Sequence, residues 1–259
     1  KRPKPTCDNK ILCDWNGLAI DSIAKSSAIF RDEKLLNLAQ QAFNFIKTSM
    51  YDGKTLYHSH CNSINKHEGM LEDYAYLIKA GITIFEITTD EQYLKFSLEL
   101  TETLIENFGD EEGMFFITSK MKDDIIIRNK QIVDNVMPNA NAVMIENLTK
   151  LDFITGERKY NQLNTKIIQD YSSRINKEYF GICSFLNSLD FFNNYQSIII
   201  TGINKDDNKK IYDQLIKKYL PNTIILMINE KTNIISKNDF LDQIDIKNQS
   251  SIYLCKNNT

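Results

Sequence analysis

The sequence has no apolar run long enough to cross a bilayer and no strong excess of charge of either sign. A transmembrane helix needs roughly 20 consecutive apolar residues, and no stretch of this sequence approaches that length. The net charge of −3 gives no basic footprint for a nucleic acid or an anionic membrane. We therefore expect neither a membrane nor a nucleic acid as a partner.

Recognised cysteine and nucleotide motifs are also missing. The five cysteines are scattered and include no C-x-x-C pair, which argues against a zinc knuckle and a thioredoxin-type redox motif. No apolar h-region of a secretory signal is present, and reduced thiols in a cytoplasmic protein are the interpretation that we favour. Gly202 follows an apolar stretch without a G-x-G-x-x-G or P-loop pattern. We expect no cofactor.

Helical periodicity, by contrast, recurs three times along the chain. Apolar residues follow helical spacing after Trp15, after Leu71 and after Pro138, and a second helix follows each run. The second helices start near residues 32, 90 and 156, which are 58 and 66 residues apart, against roughly 34 for tetratricopeptide pairs. The extra length lies in loops before the inner helices, where repeat arrays usually carry function. The pattern predicts three stacked helical hairpins with their inner-helix starts around one cleft.

After about residue 190 the pattern changes to short strands. A strand–helix–strand order favours a small parallel sheet with a right-handed crossover. The predicted elements are strands at 197–202, 223–228 and 251–255 with a helix at 205–220; shorter strand-like stretches lie at 54–61 and 114–118. We therefore divide the chain into a helical-hairpin region, residues 1–190, and a small C-terminal α/β module, residues 191–259.

Several short motifs gain meaning when they are taken together. In chain order they are Asp8-Asn9-Lys10-Ile11-Leu12, Trp15-Asn16-Gly17-Leu18, Leu71-Glu72-Asp73-Tyr74-Ala75, Arg128 with Lys130, Asp134 with Pro138 and Asn141, and Tyr219-Leu220-Pro221-Asn222. As a set they resemble the C-terminal part of the spermatogenesis-associated protein 20 family, whose bacterial members are thioredoxin-domain proteins. The resemblance implies a thioredoxin-like domain followed by an (α/α)6 toroid similar to N-acylglucosamine 2-epimerases and six-hairpin glycosidases.

This sequence contains only part of that architecture. The thioredoxin-like domain is missing, and about three of the six hairpins are visible. We therefore predict a mainly α fold, a partial (α/α)6 toroid followed by the small α/β module. A half-ring exposes apolar helix flanks, so self-association or binding to the missing toroid half is expected. The family's Pro-Ser-Gly-Asn-Ser loop reads Pro-Asn-Ala-Asn-Ala at 138–142, and the lost glycine and hydroxyls weaken a catalytic role for this loop.

The candidate catalytic residues are carboxylates. Glu72 and Asp73 are adjacent at an inner-helix start, and successive helical side chains point about 100° apart, so one of them should face the cleft. It could act as a general acid or base, with Asp134 across the cavity, as sugar chemistry commonly requires. Alternatively, both carboxylates stabilise the positive end of the helix dipole and cap its amides.

The candidate substrate-binding residues are polar or aromatic. Trp15 could stack on a sugar ring or be a core aromatic. Amide side chains could bind hydroxyls or cap helices, and Arg128, with Lys130 beside it, could hold an anionic group or pair with the carboxylates and fix the loop. The full substrate-binding set is Trp15, Asn16, Tyr74, Arg128, Asn139 and Asn141.

His58, His60 and His67 are the three histidines. In a strand, His58 and His60 would share a face, as metal binding needs. No carboxylate stands at a recognised ligand spacing, so we predict a solvated loop and no metal. Epimerases of the related fold rely on histidine bases, and we expect no histidine on an inner helix here.

The functional hypothesis is a carbohydrate-active or carbohydrate-binding domain of a thioredoxin-linked family. It would bind a small sugar, with carboxylate acid/base chemistry if it is catalytic. The alternative is a non-catalytic scaffold or partner-binding fragment of a shortened or split protein.

Overall fold

The computed structural model describes residues 2–5, 7–122, 125–175 and 180–256. The helices are α1 Cys13–Phe30, α2 Glu33–Ser49, α3 Leu71–Thr88, α4 Glu91–Phe108, α5 Ala140–Thr155, α6 Lys159–Arg174, α7 Cys183–Asn194, α8 Lys205–Leu215 and α9 Asp239–Asp242. The strands are β1 Ile11–Leu12, β2 Tyr57–Cys61, β3 Ile64–Glu68, β4 Gln196–Thr201, β5 Thr223–Ile228 and β6 Ser251–Lys256. Among the described residues, no helix combines the length and apolarity needed to cross a membrane.

The three predicted hairpins are present, and their turns share one construction. The inner helices α1, α3 and α5 each end in a residue with left-handed backbone: Arg31 (φ 57°), Thr89 (φ 60°) and Gly156 (φ 72°). This conformation reverses the chain sharply at a helix C-terminus. Asp32 and Asp90 then cap the outer helices α2 and α4 by accepting hydrogen bonds from the amides of residues 34 and 92.

The inner helices pack side by side, and α3 lies at the centre. Fourteen of its eighteen residues are buried, because α1, α4 and α5 all pack against it. Gly17 explains the close approach of α1: a Cβ there would lie 2.9 Å from the backbone carbonyl carbon of Tyr76. This approach brings the start of α1 against the start of α3.

The loop between α2 and α3 is more ordered than predicted. Strands β2 and β3 form an antiparallel hairpin, and β1 pairs with the other edge of β2. The turn uses left-handed backbone at Asn62 (φ 50°) and Ser63 (φ 62°), the geometry that two-residue hairpin turns require. The predicted strand at 114–118 is wrong, because its backbone instead bonds individually to the starts of α3 and α5.

The C-terminal sheet has the order β5-β4-β6. The predicted parallel pairing of β4 with β5 is confirmed. Strand β6 runs antiparallel to β4, so the sheet is mixed. The sequence pattern did not indicate helix α7, which packs against α5. The proposed domain boundary at residue 190 lies within this helix. The division into two domains stays a prediction. The sheet region meets the C-terminal ends of the inner helices, where Asn238 donates to the carbonyl of Phe153 at 2.7 Å.

Candidate functional site

Asp73 is the centre of a polar cluster at the starts of α1 and α3. Its side chain is fully buried. One carboxylate oxygen accepts from the amide of Asp14 at 2.9 Å and the other from the amide of Met70 at 2.7 Å. Nδ1 of His58 lies 3.0 Å from both oxygens. Asp73 thus joins α1, the start of α3 and strand β2.

His58 is positioned by β2 and is mostly buried. The hydrogen bond to Asp73 raises the pKa of His58, although burial acts in the opposite direction. A carboxylate at Nδ1 favours the tautomer with its proton on that nitrogen, which leaves Nε2 as the acceptor. The prediction of a solvated loop is therefore wrong for His58. This side chain is part of an aspartate–histidine pair.

Glu72 and Asp14 lie beside this pair and differ in their hydrogen bonds. Burial raises the pKa of both carboxyl groups, and the charge of Asp73 raises them further. Asp14 accepts a hydrogen bond from the amide of Trp15 at 2.7 Å. Oε2 of Glu72 is buried and has no hydrogen-bond partner among the described residues. Among the described residues, Glu72 thus contributes a buried carboxylate oxygen with unused bonding capacity to this cluster.

The same cluster has the donor atoms for a divalent metal ion. One ligand atom each from Asp14, His58 and Asp73 lie within 4.8 Å of one another. An imidazole and two carboxylates form a donor set that transition metals accept. Coordination would require His58 to exchange its hydrogen bond with Asp73 for a metal bond. The absence of a metal therefore stays a prediction.

Tyr76 connects the start of α3 with the loop before α5. Its hydroxyl donates to the carbonyl of Pro138 at 2.5 Å. Burial raises the pKa of Tyr76, and four carboxylates contribute to the shift: Glu72, Asp14, Asp134 and Asp73. Their charges act on the same phenol, so the three helix starts share one acidic neighbourhood.

Within this neighbourhood, Asp134 binds backbone amides. It accepts hydrogen bonds from the amides of Asn139 at 2.8 Å and Ser184 at 2.9 Å. These contacts hold the starts of α5 and α7 together. A catalytic role for Asp134 stays a prediction, and the geometry also provides the capping role that carboxylates have at helix N-termini.

Arg128 and Lys130 do not pair with the carboxylates that we expected. Arg128 donates to the carbonyls of Thr118 and Asn107, with distances of 2.7 to 3.2 Å. Lys130 forms ion pairs at 2.7 to 3.1 Å with three other carboxylates: Asp110, Glu112 and Asp170. Both cations thus fix the loop before α5, which is the structural role that we considered, but through other partners than Glu72, Asp73 and Asp134.

The remaining predicted binding residues differ in exposure. Trp15 is 60% exposed at the start of α1, and Asn16 donates to the carbonyl of Leu12. Tyr74 is buried and accepts from the amide of Leu56 at 3.2 Å. Asn139 caps α5. Asn141 is buried and bonds both the amide and the carbonyl of Phe115. Trp15 thus offers the largest open surface, and the roles of the whole set in binding stay predictions.

Two members of the cluster, Asp14 and His58, were absent from the predicted site. Asp14 stands next to Trp15, and its place at an inner-helix start was a signal that could have identified it. His58 is fifteen residues from Asp73 and depends on the β2–β3 hairpin for its position. Periodicity alone did not indicate that contact.

No known family model matches the chain. It is similar to the human spermatogenesis-associated protein 20, with 24% identity over 273 residues that cover 99% of this chain and 35% of the human protein. The rat protein of that name has the same identity and coverage. The chain thus spans about 35% of the length of these relatives. The resemblance indicated by the motifs is confirmed.

Solved structures similar to this chain include carbohydrate-active enzymes. A family 76 alpha-mannanase from Bacteroides thetaiotaomicron has a TM-score of 0.57 and 18% identity, over 81% of this chain and 58% of that chain. A cellobiose 2-epimerase from Bacillus thermoamylovorans has a TM-score of 0.53 and 14% identity, over 66% and 47%. The predicted fold, a partial (α/α)6 toroid, is confirmed.

Proposed function

We propose that this chain is a carbohydrate-active domain that binds a small sugar at the starts of its inner helices, with Glu72 as the acid/base group. One observation carries the proposal. Glu72 has a buried carboxylate oxygen without a hydrogen bond in the described structure, and it lies beside the His58–Asp73 pair. The toroid fold shared with glycoside hydrolases and an epimerase gives this cluster a carbohydrate context.

The chemistry of Glu72 follows from its surroundings. A carboxyl group whose pKa is raised by burial keeps a proton nearer to neutral pH. Such a group can protonate a leaving oxygen or a ring oxygen of a sugar, as the general acid of a glycosidase does. His58, held by Asp73 at Nδ1, presents Nε2 as the complementary base.

Other residues of the predicted site have supporting roles in this proposal. Asp73 is saturated by its three partners, so it positions His58 and does not exchange protons with a substrate. Trp15 provides an exposed flat face on which a sugar can stack. The loop before α5 is held in shape by four further residues of the predicted site: Asp134, Arg128, Asn139 and Asn141.

A Glu72→Gln variant tests the proposal. The change keeps the shape of the side chain and removes its proton chemistry. We expect sugar turnover, measured on a panel of small glycosides and reducing sugars, to fall about 10²- to 10⁴-fold, while sugar binding is retained. The matched control is Glu106→Gln on the exposed face of α4, which should behave like the parent. Equal turnover by the Glu72→Gln variant and the parent would overturn the proposal.

A second candidate function is partner binding, favoured by exposed apolar side chains on the first hairpin. Ile29, Phe30 and Leu38 are 44%, 74% and 51% exposed. They lie on α1 and α2, at one end of the hairpin array. A second copy, or the rest of a toroid, would bury this flank. Concentration-dependent self-association in sedimentation experiments, lost on Phe30→Asp substitution, would support this function. The thioredoxin link and a cytoplasmic location remain parts of the proposal.

A further inference from the structure

The inner helices carry charged side chains far from the Glu72 cluster. Glu72, Lys79 and Glu86 lie on one face of α3, each seven residues from the next, and all three are partly exposed. Fourteen residues of helix rise about 21 Å. Glu86 therefore lies at the opposite end of α3, where the helical region meets the C-terminal sheet.

Around Glu86 and Lys79, a network of charges joins α1, α3 and α5. Lys79 pairs with Glu146 at 2.7 Å, Lys150 with Glu86 at 3.0 Å, and Lys25 with Asp21 at 2.9 Å. Burial alone would raise the pKa of Glu146, but Lys79 and Lys150 lower it to about 2. Three lysines face three carboxylates, so the network is close to neutral.

Two adjoining cavities open onto this network. The larger has a volume of about 520 Å³ and is lined by Lys25, Glu146, Lys150 and the 219–223 loop. The smaller has a volume of about 210 Å³ and contains apolar side chains, among them Ile29 and Ile225. Lys25 and Lys150 line both cavities. Together they form one site with a polar part and an apolar part.

The polar part has unused hydrogen-bonding capacity of both kinds. An ammonium group has three N–H donors, and the bond to Asp21 uses one donor of Lys25; no other described residue accepts from it. Glu146 lines the larger cavity. Its Oε2 accepts from Lys79, whereas its Oε1 lies 3.9 Å from Nζ of Lys150, beyond hydrogen-bond distance. A ligand here should therefore both donate and accept, as hydroxyl groups do.

The charge balance restricts the ligand further. The lysines and carboxylates of the site already pair with one another, so a charged ligand would add a charge that has no partner of opposite sign. Burying such a charge is strongly unfavourable. At the rim, Asp190 and Lys218 carry opposite charges as well. A neutral molecule can use the hydroxyl-binding part without this penalty, and an apolar group on it can fill the smaller cavity.

We propose that this joint cavity between α1, α5, α7 and the C-terminal sheet binds a neutral, hydroxyl-rich molecule with a short apolar group, of the alkyl glycoside class. This site is separate from the Glu72 cluster and does not depend on the proposed function. Lys25 and Glu146 would bind the hydroxyl groups, and Ile29 and Ile225 would contact the apolar group.

The test uses hexyl glucoside as the probe, with glucose and hexanoate for comparison, in titrations followed by calorimetry and by amide chemical shifts of the full chain. We expect saturable binding of hexyl glucoside that shifts amides near Lys25 and residues 219–223. Glucose and hexanoate should bind at least about tenfold more weakly, because each lacks one of the two features. Binding of hexanoate as tight as that of hexyl glucoside would overturn the proposal, as would shifts confined to the region of His58.

Two variants locate the site. Lys25→Met and Ile29→Glu should each weaken the binding of hexyl glucoside about tenfold or more, since both side chains are partly exposed and line the cavities. The controls are Lys34→Met on α2 and Ile64→Glu on β3, both exposed positions outside the cavities. Glu72→Gln should leave this binding unchanged, which separates its outcome from that of the proposed function. Unchanged binding in both cavity variants would refute the assignment.

Discussion

Replacing His58 by glutamine should flatten the pH dependence of stability near neutral pH. The hydrogen bond to Asp73 raises the pKa of His58 in the folded protein, so the folded state binds this proton more tightly than the unfolded chain does. Stability from the protonated pair is fully present below the unfolded histidine pKa of about 6.5. It is lost as the pH rises through the higher folded value. Glutamine can still donate to Asp73, but it does not titrate.

The expected magnitude follows from the kind of hydrogen bond. Bonds to charged groups contribute roughly 1.5–3 kcal/mol and neutral ones roughly 0.5–1.5 kcal/mol. The His58 side chain is only 20% exposed, so solvent screens the pair little. We expect the parent to lose about 1–1.5 kcal/mol of unfolding free energy between pH of about 6 and about 8.5 from this pair, and the His58→Gln variant to lack that slope.

Urea denaturation followed by circular dichroism at several pH values measures this difference. Asp14 and Glu72 also have raised pKa values. Ionisation of these two carboxyl groups lowers the stability as the pH rises from about 4. Both groups are present in the parent and in the variant alike. The control is His67→Asn at the exposed end of β3, since asparagine tolerates the left-handed backbone there (φ 60°). The same slope in the parent and in His58→Gln, or a rise in stability with pH, would refute the reasoning.

Two further substitutions test the packing that surrounds the site. Asn141→Ala removes both hydrogen bonds to the backbone of Phe115. The amide and carbonyl of Phe115 would then be buried without these bonds, which should lower the unfolding free energy by about 2–4 kcal/mol. Asn37→Ala on the exposed face of α2 is the control, and an equal effect of both changes would contradict this account. Lys79→Met leaves Glu146 with only a distant contact to Lys150 at 3.9 Å, and should cost about 3 kcal/mol at neutral pH. The added change Glu146→Leu should restore most of that loss, and no recovery in denaturation experiments would show that the ion pair is not the cause.

The hairpins were predictable because local signals agree with the final packing. Helical periodicity, the caps at Asp32 and Asp90 and the turn at Gly156 all act within a few residues. Strand β3 was not predicted, because Ile64–Glu68 is mostly exposed and polar and depends on β2 for its pairing. The direction of β6 likewise depends on its pairing with β4.

The candidate site was predictable only in part, for a similar reason. The position of Glu72 and Asp73 at a helix start follows from periodicity, and it identifies the right end of the array. The partners of Asp73 come from β2 and α1, which are distant in sequence. Asn139, Asn141 and Asp134 were open between binding and capping roles, and their bonds to backbone groups appear only when the loops are in place.

The adjacent carboxylates Glu72 and Asp73 should respond to neutralisation in opposite ways, and this contrast tests their division of roles. Burial raises the pKa of Glu72 and leaves one of its oxygens unbonded among the described residues, so its charge opposes folding at neutral pH. Glu72→Gln should raise the unfolding free energy by about 0.5–1 kcal/mol, as expected where an active group is held in an unfavourable place. Asp73→Asn replaces an oxygen that accepts a backbone amide with an amide donor, so it should lower stability by about 2–4 kcal/mol. Both variants are compared with the parent by urea denaturation at about pH 7.5, well above the ordinary carboxyl range. A loss of stability of similar size in both would mean that Glu72, like Asp73, is a structural carboxylate, and the acid/base assignment would be wrong.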